Sequence, residues 1–92
     1  MIRSFRHKGL KKFFETGSVA GIQPAHAPRL RLQLGRLDAA KISDDMNLPG
    51  WHFHKLGGDL KDHYAVTVSK NWRLTFSFEN GHAVLVDYQD YH

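Results

Sequence analysis

Six residues of the chain carry side chains suited to chemistry at suggestive spacing: His52 and His54 two apart, Arg73, and the closing run Asp90-Tyr91-His92. A strand built only to pack does not normally end on a carboxylate, a phenol and an imidazole. Asp and His favour solvent, and a Tyr hydroxyl needs a partner. On one sheet face these groups form a kit for cutting a phosphodiester. A 2′-hydroxyl must lose its proton, the leaving 5′-oxygen must gain one, and the charged phosphorane between them must be held. Histidine, with an ordinary pKa of about 6.5, serves as base or acid near neutrality. Arg73 offers fixed donors to the non-bridging oxygens. Such a reaction confines the substrate to RNA and asks for no metal or cofactor. Other readings stand beside it. Arg73 equally suits a salt bridge to Asp87 or Asp90, and the His52/His54 spacing also suits two metal ligands completed by Asp90 or His92. His54, Asp90 and His92 are all candidates for the general base. The remaining histidines, His7, His26, His63 and His82, read as surface.

These residues need elements to position them. Met1 to Arg6 suits a short edge strand. From His7 the period becomes helical, with Leu10, Phe13 and Phe14 on one face and Gly17 as the stop. A second helix starts at Pro24 or Pro28, since Pro is tolerated in a first turn. It carries Leu30, Leu34 and Leu37 on one side, Arg29, Gln33 and Arg36 on the other, and fades by Ala40–Ile42; Gly35 within it suits a close backbone approach. Ser43–Gly50 is a loop with room for one helical turn. After Gly50 the period is two: Trp51 and Phe53 alternate with His52 and His54, Gly57-Gly58-Asp59 interrupts, and Tyr64–Ser69 and Trp72–Phe78 follow as strands. A three-residue loop, Ser69-Lys70-Asn71, pairs Val68 with Trp72 and Val66 with Leu74, with Asn71 in the left-handed conformation. Asn80-Gly81 is a type I′ hairpin pair. With Glu79 opposite His82, the ladder sets Phe76 against Leu85, Arg73 against Tyr88 and Asn71 against Asp90; a bulge would shift that register. The reading is α+β, one domain over residues 1–92. Two helices pack on the Trp51, Phe53, Trp72, Leu74, Phe76 and Phe78 face of a mainly antiparallel sheet. His52, His54, Arg73, Tyr88, Asp90 and His92 share the open face.

Composition narrows the classes. The chain is 41% hydrophobic and 12% aromatic, which suits a packed domain, and it has no cysteine for disulfides or thiolate sites. Neither a signal peptide nor a span of about 20 apolar residues is present, so a cytoplasmic location is expected and no membrane partner. The net charge of +4 is uneven: residues 1–36 hold eight Lys or Arg against Glu15, whereas residues 37–92 hold five against eight acids. A basic half of this density suits a phosphate backbone as well as a solvated helix face.

Taken together, Ile2-Arg3-Ser4-Phe5, His54-Lys55-Leu56-Gly57-Gly58-Asp59, Asn71-Trp72-Arg73-Leu74-Thr75-Phe76 and Asp87-Tyr88-Gln89-Asp90-Tyr91-His92 resemble HigB-type toxins of type II toxin–antitoxin systems, within the RelE-like superfamily. The resemblance spans the whole chain. It implies a compact microbial-RNase-like fold and a ribosome-dependent endoribonuclease that cuts mRNA in the A site, held in check by a HigA-type helix-turn-helix antitoxin. It also implies His54, Arg73, Asp90, Tyr91 and His92 as catalytic residues. Lys55, Asn71, Arg29, Arg31 and Arg36 are the residues expected to meet mRNA or ribosomal RNA. The chain departs from the family's pattern at Gly57, where members often carry lysine, and at Lys55, where they carry proline.

Overall fold

Helix α1 (Lys8–Thr16) starts where the ring of His7 accepts the Leu10 N–H at 2.9 Å, and it stops at Gly17, whose φ of 81° turns the chain out of the helix. The computed structural model describes residues 1–60 and 62–91. A single 3₁₀ turn, Pro24–His26, leads into α2 (Ala27–Ala39), so both prolines sit in first turns. The close backbone approach expected at Gly35 occurs elsewhere. A Cβ at Gly35 would meet open space, whereas one on Gly9 would lie 2.6 Å from the Gly21 carbonyl oxygen. Gly9 and Gly21 therefore let the loop after α1 fold back onto it.

A four-stranded antiparallel sheet follows, in the order β1 (His54–Lys55), β2 (His63–Ser69), β3 (Trp72–Glu79) and β4 (His82–Asp90). Residues Ile2 and Phe5 add parallel bridges to Ala83 and Val86, which makes the N-terminal stretch an edge neighbour of β4. Leu10, Leu30, Leu34 and Leu37 from the helices meet Val66, Leu74, Phe76 and Val86 from the sheet in one core. The architecture is the expected α+β one. Among the described residues no helix is long and apolar enough to cross a membrane.

Four local expectations change. The alternation from Trp51 does not make a strand there: His52 takes φ 51°, and only His54 and Lys55 pair with β2. At the β2–β3 turn Ser69, rather than Val68, stands opposite Trp72, so Val68 is the extra residue of a bulge. Lys70 (φ 50°), not Asn71, takes the left-handed position. The Asn80-Gly81 turn is as expected, with both φ angles positive, and Glu79 pairs with His82 and Phe78 with Ala83. Beyond Val84 the ladder slips. Leu85, at φ 55°, is an inserted residue whose N–H is received by Ser4 Oγ at 2.8 Å. Phe76 then faces two residues, and Leu74 pairs with Tyr88, Arg73 with Gln89 and Trp72 with Asp90.

Because strand side chains alternate, this one-residue slip exchanges the faces of everything after Leu85. Tyr88, expected on the open face opposite Arg73, is buried in the core at 4% exposure and stacks on Trp72 with ring centroids 4.5 Å apart. Asp90 likewise stands across from Trp72 rather than Asn71. Gln33 also differs. It was expected on the solvent side of α2 but is fully buried, with its amide donating to Thr67 O at 2.9 Å. Helical position 33 lies at the border of the apolar stripe, and a carbonyl exposed by the Val68 bulge draws the amide inward.

Candidate active site

The polar side of the sheet holds a groove of about 460 Å³ lined by His52, His54, Thr67, Lys70 and Arg73. Among the described residues no carboxylate lines it. Each wall residue is placed by a local irregularity. The left-handed His52 turns the chain between Trp51, whose carbonyl accepts the Thr67 N–H at 2.8 Å, and His54. That conformation costs a non-glycine residue roughly 1–3 kcal/mol and is met most often where geometry serves function. It leaves the His52 carbonyl 2.8 Å from His54 Nδ1. A carbonyl only accepts, so Nδ1 carries the proton and Nε2 of the neutral ring keeps its lone pair. His54 is exposed, and the tautomer suits a proton acceptor.

Arg73 is anchored through one nitrogen: Nη1 donates to Lys70 O at 2.7 Å, with a longer contact to Trp72 O at 3.4 Å. Its guanidinium lies 5.9 Å from the Tyr91 ring centroid, within cation–π range. Among the described residues its Nε and Nη2 make no hydrogen bond, so a fork remains for an anion. The expected partnership of Arg73 with Asp87 is not formed: Asp87 instead accepts from the Tyr88 N–H at 2.8 Å and from Gln89 Nε2 at 2.7 Å. Lys70 completes the groove and was not singled out from the sequence, where it read as a plain turn residue. The Val68 bulge is what brings it there.

The terminal residues approach from β4. Tyr91 is held by its own N–H on the Asn71 carbonyl at 2.8 Å, which keeps the tail beside the turn that bears Lys70. Asp90 lies on the opposite side of β4 from Gln89 and Arg73; its charge, after burial itself, is a cause of the raised pKa of the Tyr88 phenol. His92 lies outside the described residues. His52 and His54 gather no third donor into a metal-binding group among the described residues.

The basic residues of α2 behave differently from a free cationic face. Arg29 is half-buried and donates to Thr67 O at 3.2 Å and to Gly50 O at 3.0 Å, and Arg36 Nε donates to Asp45 O at 3.0 Å. Both brace loops, and Arg29 with Gln33 fixes the carbonyl of Thr67 in the groove wall. Arg31 is exposed, lying over the Phe13 ring at 5.5 Å. Lys55 and Asn71 are exposed but do not line the groove. Gly57 is also exposed, with open space where a side chain would go.

The four histidines read as surface are mostly structural. His7 caps α1, and the His82 ring nitrogen Nε2 lies 3.0 Å from Arg3 Nη2. His26 Nδ1 is hydrogen-bonded to the Tyr88 hydroxyl, which also accepts the Gln23 N–H at 3.4 Å. With that acceptance the phenol proton is free to be donated to His26. Burial lowers the His26 pKa below its ordinary value and raises that of Tyr88.

The model of the RelE-like toxin of the type II toxin–antitoxin system HigB matches residues 3–92. The chain belongs to this family. Among individual proteins, this HigB-like chain is 40% identical over 92 residues, the full length of both, to the Endoribonuclease HigB of Proteus vulgaris. It is 34% identical over 86 residues, 91% of this chain and 90% of the other, to Toxin HigB-1 of Vibrio cholerae serotype O1. The toxin of a type II toxin–antitoxin pair has an antitoxin as its partner, and the fold described above is consistent with the RelE-like one.

Proposed function

We propose that the chain is an endoribonuclease that cleaves mRNA in the ribosomal A site by metal-independent 2′-hydroxyl attack, neutralised by a HigA-type helix-turn-helix antitoxin in the cytoplasm. The observation that carries the reading is a groove with no carboxylate among its described lining residues, in which the His52 carbonyl takes the Nδ1–H of His54 and leaves Nε2 as the nitrogen to accept a proton, beside Arg73 and Lys70. His54 Nε2 removes the proton from the 2′-hydroxyl, and the resulting oxygen attacks the adjacent phosphorus. The free fork of Arg73 and the ammonium of Lys70 hold the non-bridging oxygens as charge accumulates. The 5′-oxygen leaves with a proton from Tyr91 or His92, giving a 2′,3′-cyclic phosphate and a 5′-hydroxyl. The name carried by the Proteus vulgaris relative supports RNA as substrate. Lys55, Asn71 and Arg31, all exposed, are available for RNA contact. Arg29 and Arg36 reach it only in addition to their structural bonds.

Lys70 supplies a cation where Gly57 provides none, and this reading assigns it the role that a lysine at Gly57 would have. The test is cleavage of a translated message by the purified chain, with a chelator that takes transition metals but spares the Mg²⁺ that ribosomes need. Cleavage that survives chelation and disappears in His54→Ala supports the reading. Translation arrest with intact transcripts would favour a binder that blocks the ribosome without cutting.

A further inference from the structure

A second cleft, of about 540 Å³, opens on the other side of the β2–β3 turn and takes no part in the chemistry above. Its walls include Gln23, His26, Arg29, Ser69, Lys70 and Trp72. Lys70 lines both clefts, so the two are neighbours separated by one side chain. Among the described residues no acidic residue lines either. The volume is that of a site for a small organic group rather than an ion. Its aromatic wall is preorganised: Trp72 is half-buried, stacked on Tyr88 at 4.5 Å, with the His26 ring edge-on at 5.6 Å. His26 is itself held by the Tyr88 hydroxyl. Among the described residues Arg29 spends Nε and Nη2 on carbonyls and leaves Nη1 without a partner. A fixed aromatic wall, two cations and an amide, side by side, match a base with its phosphate in single-stranded RNA, whose unpaired bases stack on aromatic rings.

We propose that this cleft is a second nucleotide subsite, which holds the nucleotide flanking the scissile phosphate of the strand being cut. The inference rests on the endoribonuclease reading of the groove. Lys70 would neutralise the phosphate shared by the two positions, and the base would lie against Trp72 with its edge towards Gln23. The subsite would hold the strand taut across the Lys70-Asn71 turn while His54 works on the neighbouring linkage.

The test titrates the isotopically labelled full chain with 2′-O-methyl oligoribonucleotides, which bind but cannot react, two or five nucleotides long. The pentamer should shift the Trp72 indole N–H, the Ala25 amide and the His54 ring, while the dinucleotide leaves at least one cleft unmoved. Ala25 is exposed at the cleft's rim, so Ala25→Glu places a carboxylate there and Ala25→Gln is its neutral control. Ala25→Glu should weaken pentamer binding by about tenfold and dinucleotide binding little, with Ala25→Gln close to the parent. Pentamer shifts confined to His54 and its groove would overturn the subsite and leave the groove reading standing. No shift in either cleft would overturn both. If the pentamer leaves Trp72 unmoved while Ala25→Glu still impairs cleavage on ribosomes, the occupant is ribosomal RNA and the assignment to the cut strand fails.

Discussion

Leu85 bulges out of the ladder and so sets which face the C-terminal tail presents, and substitutions there test that directly. In a left-handed conformation an L-residue carries a strain of about 1–2 kcal/mol. Glycine would relieve it but would forgo the burial of a side chain that is 36% exposed, about two-thirds of the roughly 1.5–3 kcal/mol for a fully buried Leu. The two effects nearly cancel, so Leu85→Gly should stay within about 1 kcal/mol of the parent and keep its activity. Leu85→Val keeps an apolar side chain but brings β-branching to a φ of 55° that it tolerates poorly. We expect a loss of about 2 kcal/mol, which in a domain of this size lowers the melting temperature by about 8–16 °C. Deleting Leu85 removes the inserted residue itself and leaves Val86 opposite Phe76 and Tyr88 opposite Leu74, so Tyr91 should stay beside Arg73 and cleavage should persist, at a cost of about 1 kcal/mol for the lost bond to Ser4. Thermal denaturation followed by circular dichroism measures all three. A Val variant as stable as the parent, or a deletion variant that melts far lower and loses cleavage, would show that no bulge sets this register.

Other predictions follow from the same geometry. Arg73→Ala should lower mRNA cleavage by about 10²–10³-fold, and Lys70→Ala by less, both with melting curves close to the parent. Single-turnover cleavage measures the difference, and equal activity in Arg73→Ala would remove the phosphate fork. Gly57→Lys has space and an unstrained backbone for a side chain, so it should fold normally and, with Lys70 already in that role, cleave at close to the parent rate; a several-fold faster enzyme would mean that Lys70 leaves the role unfilled. Burial holds the folded-state pKa of His26 below its unfolded value of 6.5. The unfolded chain therefore takes up the proton first, so this group's contribution to stability is present above pH 6.5 and is lost as pH falls below it. Denaturant midpoints should drop from pH 7 to pH 5, and they should drop less in His26→Gln; equal slopes would discard the linkage. Tyr88→Phe, which removes the acceptor of Gln23 N–H and the partner of His26, should cost about 1 kcal/mol by urea denaturation.

Much of this fold can be read from residue types, because period and punctuation agree. The Leu30, Leu34 and Leu37 spacing, Gly17 after α1 and the Asn80-Gly81 turn each dictate local structure with little tertiary help. The faces of the tail were not legible. Neither Val68 nor Leu85 advertises a bulge, since the usual marker in such a conformation is glycine. One inserted residue moved Tyr88 from the polar face to the core and Asp90 away from Asn71. His54 and Arg73 stayed on the polar side because the inserted residue lies on β4 and follows neither in its own strand, so their groove survives a wrong register. Lys70 entered the groove and Gln33 the core for the same reason: the Val68 bulge reshaped the β2 edge, and no pattern in the sequence marks it.

The central claim is that the groove beside Lys70 and Arg73 cuts RNA through its own 2′-hydroxyl. Sequencing transcript ends after induction, with chemistry that distinguishes their termini, tests it most directly. The account predicts translation-dependent cuts that leave 2′,3′-cyclic phosphate and 5′-hydroxyl ends, absent from His54→Ala. Growth arrest with intact messages, or cuts that leave 5′-phosphates, would contradict it.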